Sequence, residues 1–328
     1  MSRFNAAIFG CDGLRLTPEE RAFFRDANPF GFILFARNID GLEQMRSLTD
    51  ELRDCVGHHA PVLIDQEGGR VQRMRPPLAT QWLPPLEFVQ KAHPNAERAM
   101  YLRSVITADE LRQGGVDANC APLVDVACDV THPFLKDRCY ASDPDMVARL
   151  GRAVADGHLD GGVMPVVKHI PGHGRAEVDS HLDVPRVTAP RAALEQDFAP
   201  FRALNDLSMG MTAHLIFEDI DPRPATISPV MMSLIRDEIG FDGLIMTDDI
   251  SMEALSGTVP ERAAAAIAAG CDAVLHCNGT LAERIAVASA IGDMGHASQA
   301  RAQRVLDTAP ERPALDIPAL TAELETLI

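Results

Sequence analysis

The segment VKHIPGHGRAEVDSH, residues 167–181, places three histidines, a lysine and an aspartate after a short apolar run. Asp179 and His181 are two positions apart, so the carboxylate can accept a hydrogen bond from one imidazole nitrogen. That bond fixes the tautomer and makes the other nitrogen a general acid/base near neutral pH. The segment therefore predicts a proton-transfer dyad, with a metal site and a polar loop without chemistry as the alternatives.

Lys168 and His169 end the apolar run, and a proline and two glycines follow them in IPGHG. This composition predicts a mobile surface loop up to His181, which would bring the dyad to a bound substrate and exclude water. His173, between the two glycines, is expected to shape the loop.

A metal site would use His169, His173 and His181 together with aspartates at strand ends. Metal-dependent hydrolases on barrels usually carry a His-x-His pair at the end of an early strand. The early strands here end instead in Gly10, Arg37-Asn38 and Asp65-Gln66-Glu67. The sequence therefore predicts neither a metal ion nor another cofactor.

Asp248 and Asp249 follow the apolar run GLIM and offer the dyad a chemical partner. Strand alternation sends the two side chains to opposite sides, so we expect only one to face the site. An ionised aspartate there could attack an electrophilic carbon while a separate acid protonates the leaving group. One nucleophilic carboxylate and one separate acid are typical of a retaining glycosidase. A structural or helix-capping carboxylate is the alternative.

Further charged groups suit a polar small-molecule ligand. IDQEGGRVQR places Asp65 at a strand end, then a Gly-Gly turn with Arg70 and Arg73, and KDRCY adds Arg138. Carboxylates accept and guanidiniums donate hydrogen bonds, which suits the hydroxyls and acetamide of a sugar or a substrate carboxylate. The double glycine lacks the remaining residues of a phosphate-binding loop.

Eight short apolar runs alternate with amphipathic segments, which is typical of repeated β-α units. They begin at residues 6, 31, 61, 119, 164, 210, 243 and 272. We predict an α/β fold, a single (β/α)8 TIM-type barrel in one catalytic domain over residues 1–328, with a doubly wound sheet as the alternative. Polar residues at the strand ends would then meet at one rim: Asp65, Asp125, Lys168, His169, His214, Asp248, Asp249, His276 and Asn278.

The composition excludes several classes of function. A formal charge of −17 would repel nucleic-acid phosphates, so no nucleic-acid partner is expected. The N-terminal residues lack a signal peptide, and no apolar run is long enough for a membrane span, so we expect a cytoplasmic protein without a membrane partner. Seven scattered cysteines without CxxC spacing indicate reduced thiols. A monomer or weak oligomer is expected.

Four segments resemble, in the same order, the signature segments of glycoside hydrolase family 3. They are IDQEGGRVQR, DRCYASDP, KHIPGHG with the downstream DSH, and FDGLIMTDDISM. The likeness covers residues from about 30 to 278 and is strongest to the single-domain bacterial β-N-acetylglucosaminidases of cell-wall recycling. It implies a (β/α)8 barrel that requires no metal.

The resemblance also implies roles for individual residues. Asp248 corresponds to the nucleophile, His181 to the acid/base and Asp179 to its dyad partner. The positions that resemble the family's sugar-binding residues are Asp65, Arg73, Arg138, Lys168 and His169.

The predicted function is a retaining exo-β-N-acetylglucosaminidase. The implied substrate is a muropeptide carbohydrate, N-acetylglucosamine linked to 1,6-anhydro-N-acetylmuramic acid. A phosphorylase of the same family remains an alternative, because a neutral imidazole would not repel an incoming phosphate. A metal-dependent amidohydrolase on a barrel is the alternative from another class.

Overall fold

The structure, a computed structural model, describes residues 3–177, 184–311 and 313–328. Strands and helices alternate along these ranges, as the apolar runs predict. The predicted dyad, Asp179 and His181, lies outside the described residues.

Within these ranges, eight strands form one sheet, and each corresponds to one of the predicted apolar runs. The strands are β1 Asn5–Gly10, β2 Pro29–Leu34, β3 Val62–Ile64, β4 Ala118–Asn119, β5 Met164–Ile170, β6 Met209–Thr212, β7 Leu244–Met246 and β8 Val274–His276. β4 is shorter than its apolar run, in which Pro122 has no N–H to donate to a neighbouring strand.

The strands are all parallel, in the sheet order β7-β6-β5-β4-β3-β2-β1-β8. A parallel bridge between Met246 and Ala273 joins the two end strands. The Thr247 N–H donates to the Ala273 carbonyl at 3.1 Å beside this bridge. The sheet is therefore a nearly closed barrel, which confirms the predicted fold and excludes the doubly wound sheet.

Helices surround the barrel; among the described residues, nine lie between successive strands and three follow β8. Their bounds are α1 Pro18–Ala27, α2 Leu42–Val56, α3 Pro85–Ala92, α4 Ala96–Gln113, α5 Pro133–Lys136, α6 Pro144–Asp160, α7 Glu195–Ala203, α8 Pro229–Ser233, α9 Val259–Ala269, α10 Leu281–Ile291, α11 His296–Asp307 and α12 Ile317–Glu325. Short 3-10 turns cover Ala36–Asn38, Arg191–Leu194 and Ala225–Ile227. In the described part of the chain, no helix is long and apolar enough to cross a membrane.

Several helices carry capping residues at their ends. Thr17 and Glu20 form a capping box at the start of α1, and Thr258 with Glu261 does the same for α9. Such caps satisfy backbone N–H groups that a helix leaves free at its first turn. Ser228 caps the start of α8, which continues as a π-helical segment, Leu234–Ile239, and ends at Gly240.

The barrel interior and the layer between strands and helices form an apolar core. Fully buried side chains from successive strands include Ile8, Phe32, Ile64, Val166 and Ile245. Each contributes about 1.5–3 kcal/mol relative to an exposed side chain. This core fixes the strand ends that carry the polar groups described below.

Beyond β3 the chain forms a hairpin, Gln66–Gly68 paired antiparallel with Val71–Gln72. The Gly69 N–H donates to the carbonyl of Trp82 at 3.0 Å. Arg103 lies over the Trp82 ring, 5.3 Å from its centroid, and donates to the Glu67 carbonyl at 2.6 Å. Gly68 has a φ of +102°, and an added Cβ would lie 1.9 Å from Nη2 of Arg103. A side chain at Gly68 would therefore displace the arginine that supports the hairpin.

Candidate active site

A cavity of about 350 Å³ opens at the carboxyl ends of the barrel strands. Its walls come from loops that are far apart in sequence. The cavity brings together the predicted sugar-binding residues and the predicted nucleophile: Asp65, Arg73, Arg138, Lys168, His169 and Asp248. These are all of the predicted site residues that the structure describes.

Lys168 lies between two carboxylates at the end of β5. Its ammonium is 3.1 Å from Oδ1 of Asp65 and 2.5 Å from Oε1 of Glu67. Only 2% of the lysine side chain is exposed, so both contacts lie in a water-poor environment. The ammonium is therefore held in one place at the cavity wall.

Glu67 is a site residue that the sequence interpretation missed. It accepts two hydrogen bonds from Arg138, at 2.9 Å from Nε and 2.8 Å from Nη2, in a bidentate pair. Its partners are 71 and 101 positions away along the chain, so no local spacing indicates the contact. Asp65 is held in a similar way, because it accepts a hydrogen bond from Nη2 of Arg73 at 2.9 Å.

The charged groups of this cluster keep one another ionised. Burial alone would raise the pKa of Glu67, but the cations of Arg138 and Lys168 hold that pKa at about 2. The same opposition leaves the pKa of Asp65 well below its usual range, because Lys168 and Arg73 outweigh burial. Burial would lower the pKa of Lys168, yet Glu67 and Asp65 hold it above its usual value. All these groups are ionised at neutral pH and present fixed donors and acceptors.

His169, which shares the end of β5 with Lys168, is oriented by Asp125. Its Nδ1 donates to Oδ2 of Asp125 at 2.7 Å. Oδ1 of the same carboxylate accepts backbone N–H bonds from His169 at 3.3 Å and from His173 at 2.6 Å. Asp125 has no exposed surface, and the charge of His169 overcomes burial to lower its pKa. The opposite ring nitrogen of His169 is thereby turned towards the cavity.

Asp248 lies two residues after β7 and faces this nitrogen. Its Oδ2 is 4.0 Å from Nε2 of His169, and 22% of its side chain is exposed. Burial would raise the pKa of Asp248, but His169 and His214 together hold that pKa below its usual value. The carboxylate is thus ionised and open to the cavity, as a nucleophile must be.

Asp249 also borders the cavity, in contrast to the expectation that only one of the two aspartates would face it. Its Oδ1 accepts backbone N–H bonds from Ser251 at 3.1 Å and Cys277 at 3.2 Å. Its Oδ2 accepts a bond from Asn278 at 3.3 Å. The chain bends after β7, so strict alternation does not continue, but the hydrogen bonds give Asp249 a structural role.

The prediction that a mobile surface loop begins at Pro171 is wrong for the described part of that segment. Pro171, Gly172, His173 and Gly174 are buried. An added Cβ at Gly174 would lie 1.9 Å from the carbonyl oxygen of Val126. The glycines therefore permit close backbone packing here, whereas the sequence interpretation took them as a sign of mobility.

His173 packs inside this segment. Its ring lies 5.4 Å from that of His169, in an edge-to-face arrangement. Burial, followed by the charge of His169, lowers the pKa of His173 to about 4, so the ring is neutral at pH 7. Among the described residues, no three His, Cys, Asp or Glu side chains are grouped as ligands for a metal ion.

Of the other polar residues predicted at strand ends, some line the cavity and others pack behind it. Asn278 lines the cavity, whereas His276 packs edge-to-face on Phe9 with ring centroids 6.0 Å apart. His214 lies behind Asp249, and its Nε2 donates to the Asp249 carbonyl at 3.1 Å. Arg70, which the sequence predicts among the charged groups for a polar ligand, lines the cavity.

Comparison with known proteins defines the family. The model of the glycosyl hydrolase family 3 N terminal domain matches residues 11–308. A beta-hexosaminidase of Alkalilimnicola ehrlichii is 40% identical over 279 residues, which cover 83% of this chain and 80% of the relative. A beta-hexosaminidase of Chromobacterium violaceum is 39% identical over 280 residues, covering 81% of this chain and 76% of the relative.

Solved structures agree. The crystal structure of NagZ from Neisseria gonorrhoeae, in complex with N-trifluoroacetyl-D-glucosamine, superposes with a TM-score of 0.87 at 29% identity. The match covers 99% of this chain and 98% of that protein. A family 3 β-N-acetylglucosaminidase from Paenibacillus has a TM-score of 0.84 at 28% identity, covering 98% of this chain and 67% of that protein.

The chain belongs to glycosyl hydrolase family 3. The predicted family and the predicted class of enzyme, a glycoside hydrolase, are confirmed by these relatives.

Proposed function

We propose that this enzyme is a retaining exo-β-N-acetylglucosaminidase that removes N-acetylglucosamine from 1,6-anhydro-muropeptides in peptidoglycan recycling. The names of its relatives support the sugar. The observation that carries the chemistry is the ionised, cavity-facing carboxylate of Asp248, 4.0 Å from Nε2 of His169. In this proposal residues 1–328 act as one catalytic barrel domain.

Sugar binding is assigned to the charged cluster. The carboxylate of Asp65 would accept hydrogen bonds from sugar hydroxyls, while Arg73, Arg138 and Lys168 would donate them. Because these groups hold one another in place before substrate arrives, they lose little freedom on binding. His169 would add a polar contact beside the reacting carbon through its Nε2.

The reaction would then run in two steps. His181 protonates the glycosidic oxygen while Asp248 attacks the anomeric carbon, which breaks the glycosidic bond and forms a glycosyl ester. The same imidazole, held by Asp179, next takes a proton from water as the water attacks the anomeric carbon, which breaks the bond to Asp248 and frees its carboxylate. Two inversions leave the configuration of the sugar unchanged.

Replacement of the two neighbouring aspartates tests this assignment. Asp248→Asn should lower kcat for a 4-nitrophenyl N-acetyl-β-glucosaminide by roughly three orders of magnitude or more. Asp249→Asn is the matched control, and we expect a loss below about tenfold, because its carboxylate binds protein groups. Near-normal turnover by Asp248→Asn would exclude Asp248 as the nucleophile.

Analysis of the products tests the covalent intermediate and the two alternative activities. The first sugar product should have the β configuration in an NMR time course, whereas an α product would contradict a covalent intermediate. Formation of a sugar phosphate in phosphate buffer would identify the phosphorylase alternative. Loss of activity in excess chelator would favour the metal-dependent amidohydrolase.

A further inference from the structure

The arginines of the cavity differ in how their charges are compensated. Arg73 forms an ion pair with Asp65, and Arg138 with Glu67. Arg70 has no carboxylate within 4.0 Å in the part of the chain that the structure describes. A cation without a counter-charge is unusual in the active-site cavity of a chain with a net charge of −17. An anion from outside the protein would therefore interact favourably with the Arg70 guanidinium.

Arg70 is nevertheless held in one orientation. Its guanidinium carbon lies 3.5 Å from the centroid of the Phe134 ring, a close cation–π stack. Gly69, with a φ of +60°, makes the turn that directs Arg70 to this ring. Stacking covers one face of the guanidinium, but it leaves the N–H groups around its edge uncovered. None of these N–H groups donates a hydrogen bond to another described residue.

Position along the cavity wall distinguishes Arg70 from the sugar-binding cluster. Phe134 also contacts Arg138, whose guanidinium carbon lies 5.6 Å from the ring centroid. Arg138 is buried and bound to Glu67, whereas Arg70 is exposed. The phenyl ring thus lies between an inner arginine and an outer one. A ligand whose sugar occupies the inner cluster would pass Arg70 with the portion that extends to solvent.

We propose that Arg70, stacked on Phe134, forms an anion subsite that binds a carboxylate on the leaving group of the substrate. The inference rests on the proposed function, because it assumes that the sugar is bound in the inner cluster. A planar guanidinium with free edges matches a carboxylate through two parallel hydrogen bonds. The subsite would thereby favour acidic leaving groups over neutral ones of the same shape.

A pair of synthetic substrates tests the subsite. The 4-carboxyphenyl and 4-carbamoylphenyl N-acetyl-β-glucosaminides have similar shapes, but only the first is charged. In Arg70→Gln, kcat/KM for the carboxylate should fall about 5- to 30-fold, mainly through KM, while the amide changes less than about twofold. Arg25→Gln is the charge-matched control, because Arg25 is an exposed arginine that does not line the cavity. It should leave the ratio of the two substrates unchanged.

Binding without turnover separates this inference from the proposed function. The corresponding thioglycosides should bind to the native enzyme with a preference for the carboxylate that falls with added salt and disappears in Arg70→Gln. An equal preference in native enzyme and Arg70→Gln would overturn the subsite. Failure of the native enzyme to hydrolyse either oxygen glycoside would overturn the proposed function, and thioglycoside binding would still decide the subsite.

Discussion

Asp125 and His169 form a hydrogen bond of 2.7 Å between Oδ2 and Nδ1 in the buried wall of the cavity. The bond commits one nitrogen of the imidazole to the protein and turns the other towards Asp248, 4.0 Å away. Asp125 does not line the cavity, so any effect it has on catalysis must act through the residues that it holds, His169 and His173.

Replacement of Asp125 by asparagine should show how much the orientation of the His169 imidazole contributes to catalysis. The amide would present an N–H to Nδ1 of His169 and favour the other tautomer, so we expect kcat/KM to fall about 10- to 100-fold. Steady-state hydrolysis of an aryl N-acetylglucosaminide provides the measurement.

Asp117→Asn is the control for lost stability. Asp117 also binds a backbone N–H and an arginine, Val62 at 2.7 Å and Arg53 at 2.9 Å, but it lies just before β4, at the opposite end of the barrel. Both variants should unfold more easily in urea, whereas Asp117→Asn should keep its activity. Equal losses of kcat/KM in the two variants would contradict a positioning role for Asp125.

Glu67→Gln should destabilise the protein in a pH-dependent manner. The substitution leaves Arg138 and Lys168 with less compensating charge, and we expect a loss of about 3 kcal/mol at pH 7. Because the folded-state pKa of Glu67 is lowered to about 2 from 4.5, its stabilisation is complete above pH 4.5 and is lost as the pH falls towards 2. The difference between native and variant proteins in urea unfolding should therefore shrink over this interval.

The exposed pair of Arg98 and Glu323 offers a comparison for this measurement. Glu323→Gln should change stability much less than Glu67→Gln at pH 7, because solvent screens this exposed pair. A constant difference between native protein and Glu67→Gln from pH 7 to pH 2 would show that charge compensation is not the source of the effect.

His181→Ala should have an effect that depends on the leaving group. A proton donor matters most when the departing oxygen is strongly basic, so an alkyl N-acetylglucosaminide should lose about 10²- to 10⁴-fold in rate. A dinitrophenyl glycoside, whose leaving group needs no proton, should lose far less in its first step. The initial burst of dinitrophenol measures that step, and equal losses for both substrates would exclude His181 as the acid.

Gly174→Ala should destabilise the protein by about 1–3 kcal/mol, because the added methyl would meet the Val126 carbonyl oxygen at 1.9 Å. Gly13→Ala is the matched control, since no atom lies within 4 Å of the methyl there. Thermal unfolding of the two variants provides the comparison. Equal midpoints would show that the Gly174 segment has room to move away from Val126.

The sequence predicts the barrel well because its signals are local. The apolar runs and the amphipathic segments between them each depend on neighbouring residues. The contacts of Glu67 and Asp125 depend on residues 44 to 101 positions away, which spacing does not specify. The same limit applies to Gly174, since a glycine required by a close backbone contact has no local mark to distinguish it from a flexible one.

Trp82 is the only tryptophan in the chain. The residue is 7% exposed, and its ring lies beneath Arg103. Its backbone carbonyl accepts a hydrogen bond from the Gly69 N–H, which supports the hairpin that carries Glu67 and Arg70. Its ultraviolet emission consequently arises from one place, beside the hairpin whose residues Arg70 and Val71 line the cavity. The protein therefore has a built-in fluorescent probe, and an optical titration with a sugar ligand can follow the hairpin without a label.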